Sequence, residues 1–556
     1  MAWSAVARLA VALGFAVAGL GRVDAALSKG ESERIRAYLK AVPHPEPVVD
    51  WQNYAFRASR APGDSYAYTK NVLKHTDGLE LIGYLPSRPS QDLGPTALGV
   101  GYEGSASFVT DDARTLDLIA AAGVKKLRLW FSWNKFEKKR GEYDFSWLDK
   151  VLDLCEQRKI EPWVSLGGCP SFYLTGCEDL YPTPPEMDLY LIEGGDEQAR
   201  AVGKTCLDLT REAAFCHGAM EPYLKAVAAF ARHVRGRVRH IEYNNEIEAF
   251  FRKGGTDWWR IVGHDQAAKD MVECCRRVRE TVLREIPEAE FSVSFCRLTS
   301  SLLPRLAAHG LAEVIDFYSY HGYERNPEAM VRESLDQARA LFRKKDGTPV
   351  RVMMGESGRA SGPSGRFSTR TEYGQAKFTA RRIFNDLYQG SETVSFFGFG
   401  LGRYGYVNSE TKTPKLGYYV LQSLGWLVEG LRPAPEYCVR FNTLGTQEFT
   451  PQMPYTCSQR TAFVRKGVPV VALWTPEHLD INQQPLTGCL SVVTDGLGES
   501  FPEPVVIDTV RRTVWDAKAL HGRDWIGDDE FRYFPLLDYP LVVTDLAVFR
   551  EFVVKE

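Results

Sequence analysis

Several features that identify other classes of protein are missing from this chain of 556 residues. It contains no Cys-x-x-Cys pair, so a structural zinc site is not expected. It contains no Asn-x-Ser/Thr sequence either, so N-glycosylation is not expected. Its formal net charge of −3 lacks the basic excess that nucleic-acid binding requires. We therefore expect no nucleic-acid partner.

Long apolar runs are also missing beyond the N-terminus, where no segment approaches the roughly 18 uninterrupted apolar residues of a membrane span. At the N-terminus, Arg8 precedes an apolar stretch from Leu9 to Leu20, and small residues follow up to Ala25. This order is typical of a secretory signal peptide, with an uncleaved anchor as the alternative. We expect residues 1–25 to be removed, and the mature protein to be secreted or periplasmic without a membrane span.

Cysteine is plentiful, with 11 residues, and an exported chain of this kind is expected to form disulfide bonds. The odd count leaves at least one thiol unpaired unless it joins two chains. Cys155, Cys274 and Cys275 fall on helical patterns and are predicted to be buried thiols. The disulfide candidates cluster in one polar segment and are Cys169, Cys177, Cys206 and Cys216.

The composition is that of a soluble globular protein, with 44% hydrophobic and 25% charged residues. The length favours two domains. Aromatic residues reach 12%, which either large packed cores or platforms for sugar rings would explain.

Eight short apolar runs alternate with helical patterns and predict an α/β fold, namely a (β/α)8 TIM barrel over residues 96–431. An open doubly wound sheet is the alternative, and the count of eight favours the barrel. The predicted strands are 97–101, 126–131, 162–166, 238–243, 291–295, 314–320, 350–354 and 393–399.

Two further regions flank the predicted barrel. Residues 432–556 are strand-like and rich in turns, as in a β-sandwich. Residues 26–95 form an N-terminal extension in which 79–85 reads as a strand that could pair with the C-terminal sheet. The connection from 167 to 219 is long enough to be functional, and we expect it to form a wall of the substrate cleft. Its aromatic residues include Phe172, Tyr173, Tyr181 and Tyr190.

Two acidic residues stand at the ends of two apolar strands. Glu246 follows "VRHIEYNN", and Glu356 follows "VRVMMG". A barrel brings the carboxyl ends of its strands to one face. Hydrolysis of a glycosidic bond with retention needs two carboxyl groups about 5–5.5 Å apart, one protonated and one ionised. The pair is therefore a candidate acid/base and nucleophile.

Four stretches together resemble the clan A glycoside hydrolases over roughly residues 97–430. They are "GEYDFSWLDKVLDLCEQRKIEPWVSL", "IEYNNE", "DFYSYHGY" and "PVRVMMGESG". The chain departs from the family pattern at three places. Asn244 precedes the Asn-Glu pair, and Ile247 follows it where proline is common. The eighth predicted strand, 393–399, has phenylalanines where tryptophan is frequent. The exact family is therefore left unassigned.

The resemblance implies a retaining TIM-barrel enzyme and a role for each matching residue. Glu246 matches the general acid/base and Glu356 the nucleophile. Asn245 matches the asparagine that hydrogen-bonds the sugar 2-hydroxyl. Tyr323 matches the tyrosine that holds the nucleophile, and Arg128 matches an arginine that keeps that carboxylate ionised. His321 and Trp133 complete the substrate-binding candidates.

Several of these residues also have structural explanations. Glu242 and Glu248 share the strand parity of Glu246, so alternation does not choose among them. His321 could be a core histidine, and core packing explains Trp133 as well as sugar stacking does. The stretch "GESGR" lacks the second glycine of a serine nucleophile elbow. Arginines after three of the strands raise the alternative of an acidic sugar, and they are Arg297, Arg359 and Arg403.

The sequence thus predicts a secreted retaining glycoside hydrolase acting on an oligosaccharide or polysaccharide. Two carboxylates and water suffice for the reaction, so we expect no metal and no organic cofactor. The alternatives are a non-catalytic carbohydrate-binding protein on a degenerate barrel, or a transglycosylase. The sugar, the linkage, exo or endo action and the oligomeric state are not determined by the sequence.

Overall fold

A computed structural model describes residues 79–102, 111–173, 220–247, 264–295, 302–362, 368–443, 459–476, 486–493, 501–523 and 528–549, apart from seven positions within these ranges (86, 169, 325, 326, 370, 409 and 410). Its centre is a closed barrel of eight parallel strands in chain order. The barrel strands are β2 (Leu98–Tyr102), β3 (Lys126–Trp130), β4 (Glu161–Leu166), β5 (His240–Tyr243), β6 (Glu290–Phe295), β7 (Phe317–Gly322), β8 (Arg351–Ser357) and β9 (Val394–Phe396). Strand β1 (Leu81–Tyr84) precedes them.

Every barrel strand is followed by helical structure, as the alternation in the sequence predicts. The described helices are α1 (Asp112–Ala121), α2 (Trp133–Phe136), α3 (Ser146–Gln157), α4 (Met220–Val234), α5 (His264–Glu285), α6 (Leu303–Ala308), α7 (Leu311–Val314), α8 (Pro327–Leu341), α9 (Glu372–Tyr388), α10 (Leu416–Leu427) and the C-terminal α11 (Leu546–Phe549). Two 3-10 turns lie at Ser90–Asp92 and Ser171–Tyr173. Among the described residues, no helix is both long and apolar enough to cross a bilayer.

Local signals account for where several helices begin and which side they bury. Asp111 caps α1 by accepting from the backbone N–H of Arg114 at 2.7 Å, and Thr371 caps α9 in the same way. Helix α3 buries one stripe against the barrel, made of Leu148, Val151, Leu152 and Cys155. In helix α4 Phe230 is fully buried, whereas Leu224 is only partly buried.

After the barrel, the chain forms antiparallel strands arranged in two sheets. The strands are β10 (Arg432–Pro433), β11 (Cys438–Thr443), β12 (Gln459–Arg465), β13 (Val468–Trp474), β14 (Leu486–Val493), β15 (Pro504–Asp508), β16 (Thr513–Asp516), β17 (His521–Arg523), β18 (Asp529–Leu536) and β19 (Leu541–Asp545). One sheet has the order β1-β16-β15-β19-β13-β12-β10, and the other β11-β14-β18-β17. The predicted fold class, a barrel with a C-terminal β domain, is confirmed.

The two ends of the described chain meet in one sheet. Strand β1 pairs antiparallel with β16, with Leu81 opposite Trp515 and Tyr84 opposite Thr513. The strand anticipated at 79–85 therefore lies at the edge of the C-terminal sheet. A single apolar core extends from the barrel helices into this domain.

Only some of the predictions about cysteine fall on described residues. Cys155, Cys274 and Cys275 are buried thiols, and burial raises the pKa of Cys155 to about 12. Cys438 is an exposed free thiol. The remaining predictions lie outside the described residues and concern 1–25, Cys169, Cys177, Cys206, Cys216, Tyr181, Tyr190, Glu248 and Arg297.

Candidate active site

Arg128 joins the ends of three barrel strands. It lies in β3, it is 4% exposed, and its Nη1 donates to Oε2 of Glu356 at 2.6 Å. Its Nε donates to Oε1 of Glu242 at 3.0 Å, and its Nη2 donates to Oδ1 of Asn245 at 2.8 Å. One guanidinium thus fixes β5, β8 and the turn after β5 relative to one another.

The turn after β5 explains which acid of this segment reaches the barrel mouth. Regular alternation stops at Tyr243, because Asn244 and Glu246 both have left-handed backbones, with φ of 59° and 49°. Asparagine adopts this conformation more readily than most residues, whereas for glutamate it costs about 1–3 kcal/mol. Strand parity therefore does not apply to Glu246. Asn244 is the turn residue, which gives a physical reason for this departure from the family pattern.

Serines on the neighbouring strands hold this turn. Ser294 of β6 accepts from the backbone N–H of Glu246 at 3.0 Å and donates to the carbonyl of Asn244 at 3.2 Å. Asn244 also accepts from the backbone N–H of Asn245 through its side-chain oxygen, at 2.9 Å. Ser165 of β4 likewise donates to the carbonyl of Asn244, at 3.4 Å. These serines were not singled out from the sequence, since nothing local distinguishes a strand serine that supports a neighbouring turn.

A β-bulge directs Glu356 into the same site. Tyr320 of β7 pairs with Met354 of β8, but His321 pairs with Glu356, so Gly355 is an extra residue on β8. A Cβ on Gly355 would lie 2.2 Å from the hydroxyl oxygen of Ser319. The bulge therefore requires glycine for lack of space, although the backbone there is not left-handed.

His321 and Tyr323, at the end of β7, contact the two acids. Tyr323 donates its hydroxyl to Oε1 of Glu356 at 2.5 Å. Nδ1 of His321 lies 2.9 Å from Oε1 of Glu246 and 3.6 Å from Oε2 of Glu356. A carboxylate oxygen of Glu246 and one of Glu356 lie within 4.8 Å of each other. The Glu246 side chain is 23% exposed and that of Glu356 8%, so the former faces the solvent side.

The charges of the site are set by Arg128. Burial alone would raise the pKa of Glu242, but the adjacent guanidinium outweighs it and holds that pKa below its usual value. Burial and the neighbouring Glu356 raise the pKa of Tyr323 well above its ordinary value. Tyr323 therefore keeps its proton and remains a donor to Glu356. Glu242 is fully buried and acts as the structural partner of Arg128.

Trp133 is a correction to the predicted substrate-binding set. It is 0% exposed, its ring stacks on Tyr173 at 4.8 Å between centroids, and its indole N–H donates to Glu137. Because its ring faces are covered and its donor is used, it is a core residue and cannot stack on a sugar. The other six predicted site residues lie together around the barrel mouth, and they are Arg128, Asn245, Glu246, His321, Tyr323 and Glu356.

Aromatic side chains after β9 border the same site. Phe397 and Tyr404 are partly exposed, and both meet the ring of Tyr323 edge-on, at 6.4 and 6.3 Å between centroids. Phe397 is one of the phenylalanines of the eighth predicted strand, at which the clan A enzymes frequently have tryptophan. Of the arginines proposed to recognise an acidic sugar, Arg359 is buried with its guanidinium over Phe378, while Arg403 is exposed.

The two carboxylates and His321 also have the residue types of a metal site, with one ligand atom from each within 4.8 Å of the others. Two features disfavour a resident cation. The guanidinium of Arg128 lies against Glu356, and the Tyr323 hydroxyl uses the other oxygen of that carboxylate. A divalent ion would have to displace a donor and approach a fixed positive charge.

Comparisons with known proteins agree with this architecture. A family model for family 42 glycoside hydrolases, described as beta-galactosidase, matches residues 109–168. A family 39 glycoside hydrolase from the gut symbiont Bacteroides cellulosilyticus WH2 superposes with a TM-score of 0.53 at 15% identity, covering 83% of this chain and 82% of that chain. At this identity the likeness shows the fold. No curated protein matches the sequence.

Two further solved structures align at lower scores. A family 30 endoxylanase from Clostridium papyrosolvens C71 has a TM-score of 0.45 at 12% identity, over 84% of this chain and 98% of that chain. Endo-glycoceramidase II from Rhodococcus sp. has a TM-score of 0.42 at 14% identity, over 83% and 99%. The family model, together with the fold, confirms the resemblance to the clan A glycoside hydrolases and leaves the family unassigned.

Proposed function

We propose that the protein is a glycoside hydrolase that cleaves O-glycosidic bonds with retention of anomeric configuration. The observation that carries the proposal is the approach of the Glu246 and Glu356 carboxylates to within 4.8 Å at the open end of the barrel. A retaining mechanism needs a separation of about 5–5.5 Å, whereas an inverting one needs roughly 6.5–9.5 Å to admit a water.

The environments of the two acids suit different roles. Glu356 is the more buried, and it receives hydrogen bonds from Arg128 and Tyr323, which fix the orientation that a nucleophile needs. Glu246 is more exposed and contacts Nδ1 of His321, so it can meet both the leaving group and an incoming water. In the first step Glu356 attacks the anomeric carbon while Glu246 protonates the departing oxygen. In the second, Glu246 accepts a proton from the water that releases the sugar.

Asn245 supports the same assignment. Its Oδ1 accepts from Arg128, which turns the amide so that its N–H groups remain available to a sugar hydroxyl. We assign it to the 2-hydroxyl, where the hydrogen bond strengthens toward the transition state. The signal-like N-terminus supports export, so the proposed substrate is an oligosaccharide or polysaccharide outside the cytoplasm.

Single substitutions of the two acids test the proposal. Glu246→Gln and Glu356→Gln are expected to lower kcat on aryl glycosides by about 10³-fold or more, since each removes a group that acts in the transition state. Glu288→Gln, on an exposed turn, is the matched control and should retain full turnover. A mechanism-based 2-fluoro glycoside should add its sugar mass to Glu356 in the wild type.

Three outcomes would contradict the proposal in different ways. Wild-type turnover by both variants would remove the site assignment. A first product whose anomeric configuration is opposite to that of the substrate, as monitored by proton NMR, would contradict retention. Binding of glycans without turnover by the wild type would favour the non-catalytic binding protein, and transfer to an added sugar in preference to water would favour a transglycosylase.

A further inference from the structure

Behind the site, on the side away from the substrate, a buried guanidinium lies against strand β7. Arg382 of α9 is 0% exposed, and its Nε lies 2.6 Å from Oδ2 of Asp386. Its Nη1 lies 3.6 Å from Oε2 of Glu324, and its Cζ lies 5.8 Å from the centre of the Tyr320 ring. The proposed catalytic steps do not involve this group.

Gly322 leaves the space that the guanidinium fills. A Cβ built on Gly322 would lie 1.6 Å from Nη2 of Arg382 and 2.3 Å from its Cζ. The backbone of Gly322 is not left-handed, so its conformation alone does not require glycine. What requires it is the close approach of the planar guanidinium to the strand.

The position of Gly322 in the chain makes this contact relevant to the site. Its two neighbours are His321, which contacts Glu246, and Tyr323, which donates to Glu356. Its carbonyl accepts from the hydroxyl of Ser357, the residue after the nucleophile candidate. Any displacement of Gly322 would therefore move both neighbours relative to the two acids.

The groups that face the guanidinium hold it in place by charge and by shape. Asp386 comes from the same helix, Glu324 from the segment after β7, and Tyr320 from β7 itself. Burial raises the pKa of Asp386 to about 6 even though Arg382 opposes the shift. Burial and Asp386 also raise the pKa of Tyr320, so Tyr320 remains neutral.

We propose that Arg382 is a positioning residue for the reaction: its guanidinium packs in place of a Gly322 side chain and sets the location of His321 and Tyr323 against the two carboxylates. The role rests on the proposed hydrolase function, because it is expressed through Tyr323 and His321. Arg382 would thus affect the rate although it contacts neither the substrate nor the reacting atoms.

Gly322→Ala is the principal test, because a methyl group there must push the guanidinium away from the strand. We expect kcat to fall by about 100-fold, as for a small misplacement of reacting groups, with KM changed by less than about threefold. A general loss of folded protein would instead lower the active fraction, which titration with the 2-fluoro glycoside measures, and would leave kcat per active site unchanged.

Arg382→Lys is a second variant, since it keeps a positive charge beside Asp386 and removes the planar group. It should reproduce the kcat loss of Gly322→Ala. Gly522→Ala is the matched control, because a Cβ there meets nothing within 4 Å, and it should behave as the wild type.

Wild-type kcat in Gly322→Ala would overturn the positioning role. So would a crystal structure of Gly322→Ala in which the Tyr323–Glu356 hydrogen bond is retained, whether or not the protein is active. If the wild type itself cleaves no glycoside, the hydrolase proposal fails, and that structure still decides the packing claim.

Discussion

Glu242 is a buried acid that contacts the candidate nucleophile only indirectly, through Arg128. It is fully buried, and its charge is balanced by Arg128, which at the same time contacts Glu356. A guanidinium suits this position because its planar donors reach several oxygens at once. Arg128 and Glu242 thus form a fixed base beneath the nucleophile candidate.

Glu242→Gln is predicted to destabilise the protein in a pH-dependent way. Because Arg128 holds the pKa of Glu242 below its usual 4.5, the carboxylate stabilises the folded state above that pH. The stabilisation is lost as the pH falls through the lowered pKa. We expect a deficit of about 3 kcal/mol at pH 7, where a buried charge has lost one partner, and a smaller deficit below about pH 4.

Urea unfolding at several pH values measures this difference. Glu288→Gln, which is exposed, should show no deficit at any pH and serves as the control. A deficit for Glu242→Gln that stays constant from pH 7 to pH 3 would show that Glu242 is not held as a paired carboxylate.

At the scale of secondary-structure elements, the two candidate acids leave their strands by different irregularities. Glu246 is presented by two left-handed residues after β5, and Glu356 by a bulge in β8. Both irregularities lie at the carboxyl ends of barrel strands, where the active sites of such barrels are found. Departures from ideal strand geometry commonly mark functional positions of this kind.

Gly355→Ala is predicted to disturb the bulge. The added methyl would meet the Ser319 hydroxyl at 2.2 Å, so we expect a loss of about 1–3 kcal/mol in unfolding free energy and a fall in kcat. Adding Ser319→Ala removes the clashing oxygen and should recover part of both losses. Thermal denaturation and kinetics on both variants test this coupling, and equal defects in the single and double variants would contradict it.

At the scale of the whole molecule, α9 ties the barrel to the β domain. Lys377 of α9 pairs with Asp538 at 2.6 Å, and both side chains are almost fully buried. Arg381 pairs with Glu328, which also accepts from the indole N–H of Trp474 in β13. The same helix carries Arg382 against β7. The β domain is therefore packed on the element that supports the site from behind.

Asp538→Asn is predicted to destabilise the whole protein by about 3–5 kcal/mol, because it leaves the Lys377 ammonium buried without its partner charge. Replacing both residues, as Lys377→Met with Asp538→Leu, should cost much less. We expect tryptophan fluorescence and activity to be lost in one denaturant transition, since the two domains share this interface. Glu436→Gln, which is exposed, is the control. Separate transitions, or an unaffected single variant, would contradict an obligatory interface.

The sequence by itself determined the order of the elements and indicated the strand ends at which the two candidate acids stand. Strand and helix periodicities are local properties of the chain, so they can be read from the sequence. Eight apolar runs, each followed by a helical stripe, favour a barrel. The positions of Glu246 and Glu356 at strand ends follow from the same reading, as does the burial of Cys155.

Only the tertiary structure decided which neighbours complete the site. Trp133 packs on Tyr173 and donates to Glu137. Glu242 accepts a hydrogen bond from Arg128. Arg382 packs on Gly322 from a helix about 60 residues further along the chain. Contacts of this kind join residues that are distant in sequence, and the chain carries no local pattern for them. Closing the barrel brings them within hydrogen-bonding distance, because parallel strands deliver their carboxyl ends to one face while α9 packs behind them.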